Sequence, residues 1–357
     1  MRMLSKYIVA TSQPGRTYIS IGEDQLNILY VGYGKDQVIQ EITRLVKEFP
    51  EKRLCITKEA SFLMYNALKE YEPVFTPTGF TIANIPQLNK KDLQFQGKPL
   101  LLVCKPEYYF EFNVLSEYFM DKERMRAKRL DEETIPLEYY EKNTRQLVEY
   151  SIGKYHAVNA HTMRESLYEN THECTEFKGN IAVALIKHFE MKRVLDFSAG
   201  RASRLIAALA SNVEYTGIDP DQRLHPIYQE IIQQFASNEK RYTMICGKAQ
   251  DSSLDIGRDY DGIITSPPYY NLEHYSDDTS QSDVEYTTLD AWLRGFFYPA
   301  LSRSIHALKV GGVLCLNIND PGLRVKNRQP FTMQTIQYIN KELPCEYLGC
   351  IGCSEGK

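Results

Sequence analysis

Short β-type apolar runs and stretches of helical apolar spacing follow one another along this chain of 357 residues. Residues 7–10, 17–21 and 26–31 read as strands, the last two separated by the turn Gly22-Glu23-Asp24. Val38, Ile39, Ile42, Leu45 and Val46 recur at the i, i+3, i+4 spacing of an amphipathic helix over 37–49, which stops before Pro50. A strand at 54–57, a helix at 60–71 and a strongly apolar strand at 99–104 complete a small α/β domain without a catalytic constellation. Helices at 108–129 and 136–150 lead out of it. Two domains are therefore expected, an N-terminal accessory domain over 1–150 and a second domain over 151–357.

From about residue 155 the alternation becomes regular. Helix 181–189, strand 193–197, helix 204–210, strand 214–218, helix 226–237 and strand 242–246 succeed one another, and a long helix at 289–308 precedes a strand at 313–318. Strands alternating with helices imply right-handed βαβ units and a parallel sheet with helices on its faces. Between strand 242–246 and the long helix lies Gly262-Ile263-Ile264, a buried strand that runs directly into Ser266-Pro267-Pro268-Tyr269. Two consecutive prolines forbid both helix and ladder, so the chain leaves the sheet in a stiff, extended loop. Their missing N–H groups leave carbonyls free at a strand's carboxyl end, where open α/β sheets bind ligands. A hydroxyl, a rigid carbonyl and an aromatic face within four residues suit a planar group carrying an exocyclic amine. By itself the stretch is equally a strand ending in a Pro-rich turn.

Two neighbouring features change that balance. Asp196-Phe197-Ser198-Ala199-Gly200-Arg201-Ala202 has small residues at positions 198, 200 and 202 between a strand and a helix, which lets backbone approach a ligand at a helix N-terminus. Asp219 ends the following strand about 20 residues on, where an acid can accept hydrogen bonds from both hydroxyls of a ribose. Alone, that Asp would cap the next helix.

Together, residues 196–202, Asp219 and Ser266–Tyr269 resemble, in order and spacing, the class I S-adenosylmethionine-dependent methyltransferases that methylate amines. The likeness covers roughly residues 155–320 and implies a Rossmann-like α/β domain with S-adenosyl-L-methionine as cofactor. By that resemblance Asp196, Phe197, Ser198, Ala199 and Gly200 hold the methionine part, Asp219 and Pro220 the ribose, and Gln250 or Asp251 the adenine. The segment 176–180, with Lys178, closes over the methionine, and Leu308-Lys309-Val310-Gly311-Gly312 forms the turn before strand five. Ser266, Pro267, Pro268 and Tyr269 hold the target nitrogen. The Ser-Pro-Pro-Tyr form is most often that of DNA cytosine-N4 enzymes, and the Asp or Asn forms that of adenine-N6 enzymes. The chain as a whole resembles phage and giant-virus methyltransferases.

The resemblance implies methyl transfer to an exocyclic amine of a nucleobase in DNA, at cytosine N4 or adenine N6, on a base flipped from the duplex onto Tyr269. RNA guanine-N2 and protein glutamine methylation use the same Pro-Pro-aromatic pattern and stay open. So does a silent subunit that binds nucleic acid or a partner enzyme. His274 is either a general base or a supporting residue. Ser198 and Ala202 stand where the family carries glycine. The family's closing hairpin has only residues 346–353 left to form it, so the sheet edge is expected unpaired, covered by a partner, or completed by residues outside this chain.

Composition adds limits. Apolar residues at 43% and charged residues at 25% describe an ordinary globular protein. A net charge of −4 and a pI near 6.0 lack the basic excess of a dedicated nucleic-acid binder. The basic segment 122–129 reads as a solvated helix face or a phosphate-contacting patch. No apolar run reaches about 18 residues, so no membrane partner is expected, and the N-terminus does not read as a signal peptide. The eight cysteines mostly sit singly in apolar runs, as reduced thiols of an intracellular protein do. Cys345, Cys350 and Cys353 lack a nearby His, so no metal is expected. The expected partners are nucleic acid, chiefly DNA, and further subunits in a homo- or hetero-oligomer.

Overall fold

A computed structural model of the chain describes residues 3–13, 15–77, 102–105, 112–129, 132–270, 272–318, 331–349 and 351–353. Residue contacts group the chain into two units that interleave along the sequence instead of meeting at one cut near residue 150. The first comprises Met1–Met64, Val114–Thr175 and Glu273–Ser276, and the second Tyr65–Asn113, Glu176–Leu272 and Asp277–Lys357.

The first unit is mainly helical. Among the described residues its strands are two short antiparallel pairs, Ile8–Ala10 with Thr17–Ile19 and Lys128–Arg129 with Glu273–His274. The run 26–31 is not a strand but part of the helix Glu23–Tyr33. Gly22 donates its N–H to Gln25 Oε1 at 2.7 Å, and Glu23 and Asp24 occupy the first turn, where acids suit the helix dipole. Leu26 and Leu29 are buried while Ile28 and Val31 are 67% and 91% exposed, a three-residue spacing that a strand cannot produce. Residues 54–57 likewise give a helical turn, Lys52–Cys55, closed by the Ile56 N–H on the Lys52 carbonyl.

The basic segment is neither solvated nor open to phosphate at its centre. Arg124, near the end of the helix Asn113–Met125, is buried and pairs with Glu173 at 2.8 Å and Glu117 at 3.4 Å. Arg164 and Asp121 form a fully buried pair beside it. Burial pushes Glu173 up to about 7, with Asp121 and Glu117 adding to the shift and Arg124 opposing it.

Tyr140 is fully buried, donates to the Val46 carbonyl at 2.7 Å and lies 3.1 Å from the Tyr18 hydroxyl. Replacing it by Phe strands that carbonyl in the core. Tyr140→Phe is expected to cost about 1–2 kcal/mol in urea unfolding, because the ring is kept and only the hydrogen bonds are lost.

The second unit is built on five parallel strands: β1 (Arg193–Asp196), β2 (Glu214–Asp219), β3 (Tyr242–Cys246), β4 (Tyr260–Thr265) and β5 (Leu308–Leu316), in the order β5-β4-β1-β2-β3. Helix α1 (Gly179–His188) precedes β1, α2 (Ser203–Ala210) joins β1 to β2, and α3 (His225–Phe235) joins β2 to β3. This is the Rossmann-like α/β arrangement that the alternation implies. Strand order runs outward from β1 in both directions, so the switch point lies between β1 and β4, and the carboxyl ends of these strands flank its crevice.

Two expected elements differ. The long helix 289–308 is three segments, Leu289–Trp292, a wide-turn stretch Leu293–Phe297, and Tyr298–His306. Pro299 has no N–H to donate, and the ladder widens just ahead of it. The turn expected at 308–312 lies within β5, where the register against β4 shifts between Leu308 and Val313 and Gly311 adopts φ +80°. The final strand, Ile351–Cys353, does not join this sheet. It pairs in parallel with Leu102–Lys105, which pairs antiparallel with Val74–Pro77. Of the strand expected at 99–104, residues 99–101 lie outside the described residues. Among the described residues no helix is long and apolar enough to cross a membrane.

Candidate active site

Asp196, the last residue of β1, is completely buried. Its Oδ1 accepts the Ser198 N–H at 3.1 Å and the Thr265 hydroxyl at 2.9 Å, and its Oδ2 accepts Arg204 Nε at 2.6 Å and the Tyr215 hydroxyl at 2.7 Å. Four donors fill the lone pairs of a carboxylate. The side chain expected to meet a cofactor is thus taken up in tying together β1, β2, β4 and α2. Arg204 also donates to the Ser198 carbonyl and sits over the Phe177 ring at 5.0 Å.

The loop after β1 turns through left-handed backbone at Gly200 (φ +54°) and Ala202 (φ +65°). Gly200 donates its N–H to Asp219 Oδ2 at 2.8 Å, and its carbonyl accepts from Tyr228. Ala202 departs from glycine at a position that costs about 1–2 kcal/mol in this conformation. It is fully buried at the start of α2, where its carbonyl accepts the Ile206 N–H at 2.8 Å. Phe197 and Ala199 are core residues, and Ala199 donates its N–H to the Ile218 carbonyl at 2.9 Å. Ser198, half-buried, remains at the surface of the loop.

Asp219, at the end of β2, accepts the Gly200 N–H on one oxygen and the Asp221 N–H, at 3.0 Å, on the other. Each oxygen keeps an acceptor position, which fits a vicinal diol. Burial pushes its carboxyl up to about 7, against the lowering effect of those two N–H groups. Pro220 follows it, half-buried. Lys178 is half-buried, and its carbonyl accepts from Ile181 and Ala182 at the start of α1. Gln250 is half-buried beyond β3. Asp251 is exposed, and its carboxylate accepts the Ser253 N–H at 2.8 Å, which holds it below the usual carboxylate range.

Ser266 to Tyr269 leave β4 as a loop in neither helix nor strand, with Pro267 buried and Ser266, Pro268 and Tyr269 half-buried. Thr265, just before them, is the residue bonded to Asp196, so one carboxylate oxygen joins the β1 loop to this motif. The Ser266 and Tyr269 hydroxyls are 3.4 Å apart, and Asn317 donates Nδ2–H to Ser266 Oγ at 3.4 Å. Tyr270 is core, bonded to the Thr287 carbonyl at 3.0 Å, and Asn271 lies outside the described residues. His274 belongs to the first unit's short strand, opposite Lys128.

The structure thus brings the β1 loop, Asp219 and the motif of β4 to the carboxyl ends of adjacent strands. Arg204, Tyr215, Thr265 and Asn317 were not evident from the sequence. Their signal was weak but present: Arg204 is the one cation inside an Ala/Leu-rich helix, and Thr265 and Asn317 are polar residues ending apolar strand runs. Cys345 is half-buried, Cys350 lies outside the described residues, and among the described residues no group of three or more His, Cys, Asp or Glu could hold a metal ion.

No family model and no curated protein matches the chain. Among solved structures, it is similar to the CcbJ methyltransferase from Streptomyces caelestis, at 13% identity over 39% of this chain and 47% of that one, with a TM-score of 0.28. It is also similar to the glycopeptide N-methyltransferase MtfA complexed with S-adenosyl-L-homocysteine, at 16% identity over 40% and 49%, TM-score 0.29. A third is an S-adenosylmethionine-dependent methyltransferase from Clostridium acetobutylicum, at 16% identity over 40% and 49%, TM-score 0.28. The matched stretches span about half of those chains, and at such scores the likeness has no bearing on substrate or reaction.

Removing the charge of Asp196 leaves a buried guanidinium without its partner. Asp196→Asn is expected to destabilise the protein by about 3–5 kcal/mol in chemical denaturation.

Proposed function

We propose that the second unit is an S-adenosylmethionine-dependent N-methyltransferase acting on an exocyclic amine of a nucleobase in DNA, cytosine N4 or adenine N6. The observation that carries this reading is the joining of the small-residue loop to Ser-Pro-Pro-Tyr through Asp196, with Asp219 ending the adjacent strand. Asp219, the Gly200 backbone and Ser198 would hold the cofactor, with Lys178 and Gln250 at its margins. The cofactor supplies an electrophilic methyl on sulfur. On taking up that methyl the amine nitrogen would become tetrahedral and cationic, and its surplus proton would pass to water. Ser266 Oγ and the Pro267 carbonyl accept the amine's N–H groups and favour that nitrogen through fixed dipoles, and Tyr269 offers its ring to the base. The first unit serves target recognition or assembly, in an intracellular protein that binds DNA and further subunits.

Tritiated methyl transfer to unmodified DNA, RNA and protein pools, followed by nucleoside and amino-acid analysis, tests the reading. Label in N4-methylcytosine or N6-methyladenine of DNA supports it. Label confined to RNA or protein moves the substrate, and calorimetry without S-adenosylmethionine binding removes the enzyme. Ser266→Ala and Tyr269→Ala are each expected to lower transfer by about 10–100-fold with cofactor affinity unchanged.

Asp219 adds a pH dependence. Its folded pKa lies above its unfolded value, so the unliganded fold is favoured at low pH and loses stability as pH rises from about 4 through about 7. The ionised form is the stronger acceptor for both hydroxyls of a diol. S-adenosylmethionine affinity is therefore expected to rise as pH passes through about 7. In Asp219→Asn that rise is expected to vanish and affinity at pH 8 to fall by about 10–100-fold by calorimetry.

A further inference from the structure

Ser266 has a neighbour that neither the fold nor the proposed chemistry accounts for. Asn317 follows β5 immediately, and its backbone N–H donates to the Thr265 carbonyl at 2.9 Å, which fixes it beside Ser266 at the carboxyl edge of the sheet. The side chain is exposed, so it fills no core position. Its Nδ2 lies 3.4 Å from Ser266 Oγ. A serine hydroxyl has one hydrogen to give and two lone pairs to receive. Asn317 takes one lone pair, and the hydrogen can go to the Tyr269 hydroxyl at 3.4 Å. With the hydroxyl hydrogen turned that way, one lone pair is left to receive a donor such as an amine N–H. The Asn317 amide has a second Nδ2 hydrogen to give.

We propose that Asn317 is a substrate-binding residue, donating its second amide hydrogen to the ring nitrogen adjacent to the target amine. This rests on the nucleobase reading. Cytosine and adenine each carry an acceptor nitrogen beside the exocyclic amine, N3 and N1 respectively. Guanine carries an acceptor N3 as well as an N1–H beside its amine, and a glutamine side chain offers its amide carbonyl, so this donor orients the acceptor beside the amine without choosing among these substrates. Asp at the same place has no N–H to give and would repel the ring nitrogen.

The test uses oligonucleotides containing a single cytosine or adenine, and matched probes carrying 3-deazacytosine or 1-deazaadenine, in which C–H replaces the acceptor nitrogen. Wild-type kcat/KM is expected to fall by about 10–100-fold from the parent to the deaza probe, beyond any change in amine reactivity. Asn317→Ala and Asn317→Asp are expected to lose a similar factor on the parent and little further on the deaza probe, with S-adenosylmethionine affinity and thermal midpoint as in the wild type. Equal losses on both probes would mean that Asn317 only positions Ser266, and wild-type behaviour of Asn317→Ala would mean that it does neither. Either outcome overturns the inference while sparing the methyltransferase. Absence of wild-type transfer to every oligonucleotide overturns the nucleobase reading and this inference together.

Discussion

One buried carboxylate organises the second unit. Asp196 sits at the end of the central strand of a parallel sheet, without solvent, and would be intolerable there as a bare charge. Its four donors come from four elements: its own loop, α2, β2 and β4. Each bond relieves the charge and also fixes where an element ends. Because Thr265 and Ser198 share one oxygen, the loop after β1 and the motif after β4 cannot drift apart without uncovering it. The site's precision is a by-product of satisfying a charge that the fold must bury.

Asp219 meets the opposite situation. It has two backbone donors where Asp196 has four donors including a cation, and burial accordingly lifts its carboxyl to about 7. A carboxyl left short of donors is one that a hydroxylated ligand can complete. The two acids, on adjacent strands, therefore differ in the number of hydrogen bonds each receives, and under the proposed function Asp219 is the one left for a ligand. The same logic runs through the first unit, where Asp121 is matched to Arg164 and Glu173, shifted upward, shares Arg124 with Glu117.

The strands of the sheet were legible because buried parallel strands read as short apolar runs between helical repeats, and β3 matches its expected bounds residue for residue. The first unit was less so. Leu26 to Val31 is an apolar run whose two possible periods differ only in which residues meet a core, and no local signal says where that core lies. Likewise, nothing local marked Arg124 as the buried cation of the run 122–129, because one of its acidic partners, Glu173, lies 49 positions away in sequence.

What the sequence by itself determined is the order of chemistry along the chain: a small-residue loop, an acid, then Ser-Pro-Pro-Tyr, each at a strand's end, because apolar period and proline stiffness are local properties. What only the tertiary structure decided is which acid is filled with donors and which receives only two, that Asn317 stands beside Ser266, and that Ile351–Cys353 pairs with Leu102–Lys105. Those facts depend on hydrogen bonds between residues far apart in sequence, such as the 69 positions separating Thr265 from Asp196. No spacing rule encodes such partners. They exist only once buried polar groups have had to find one another.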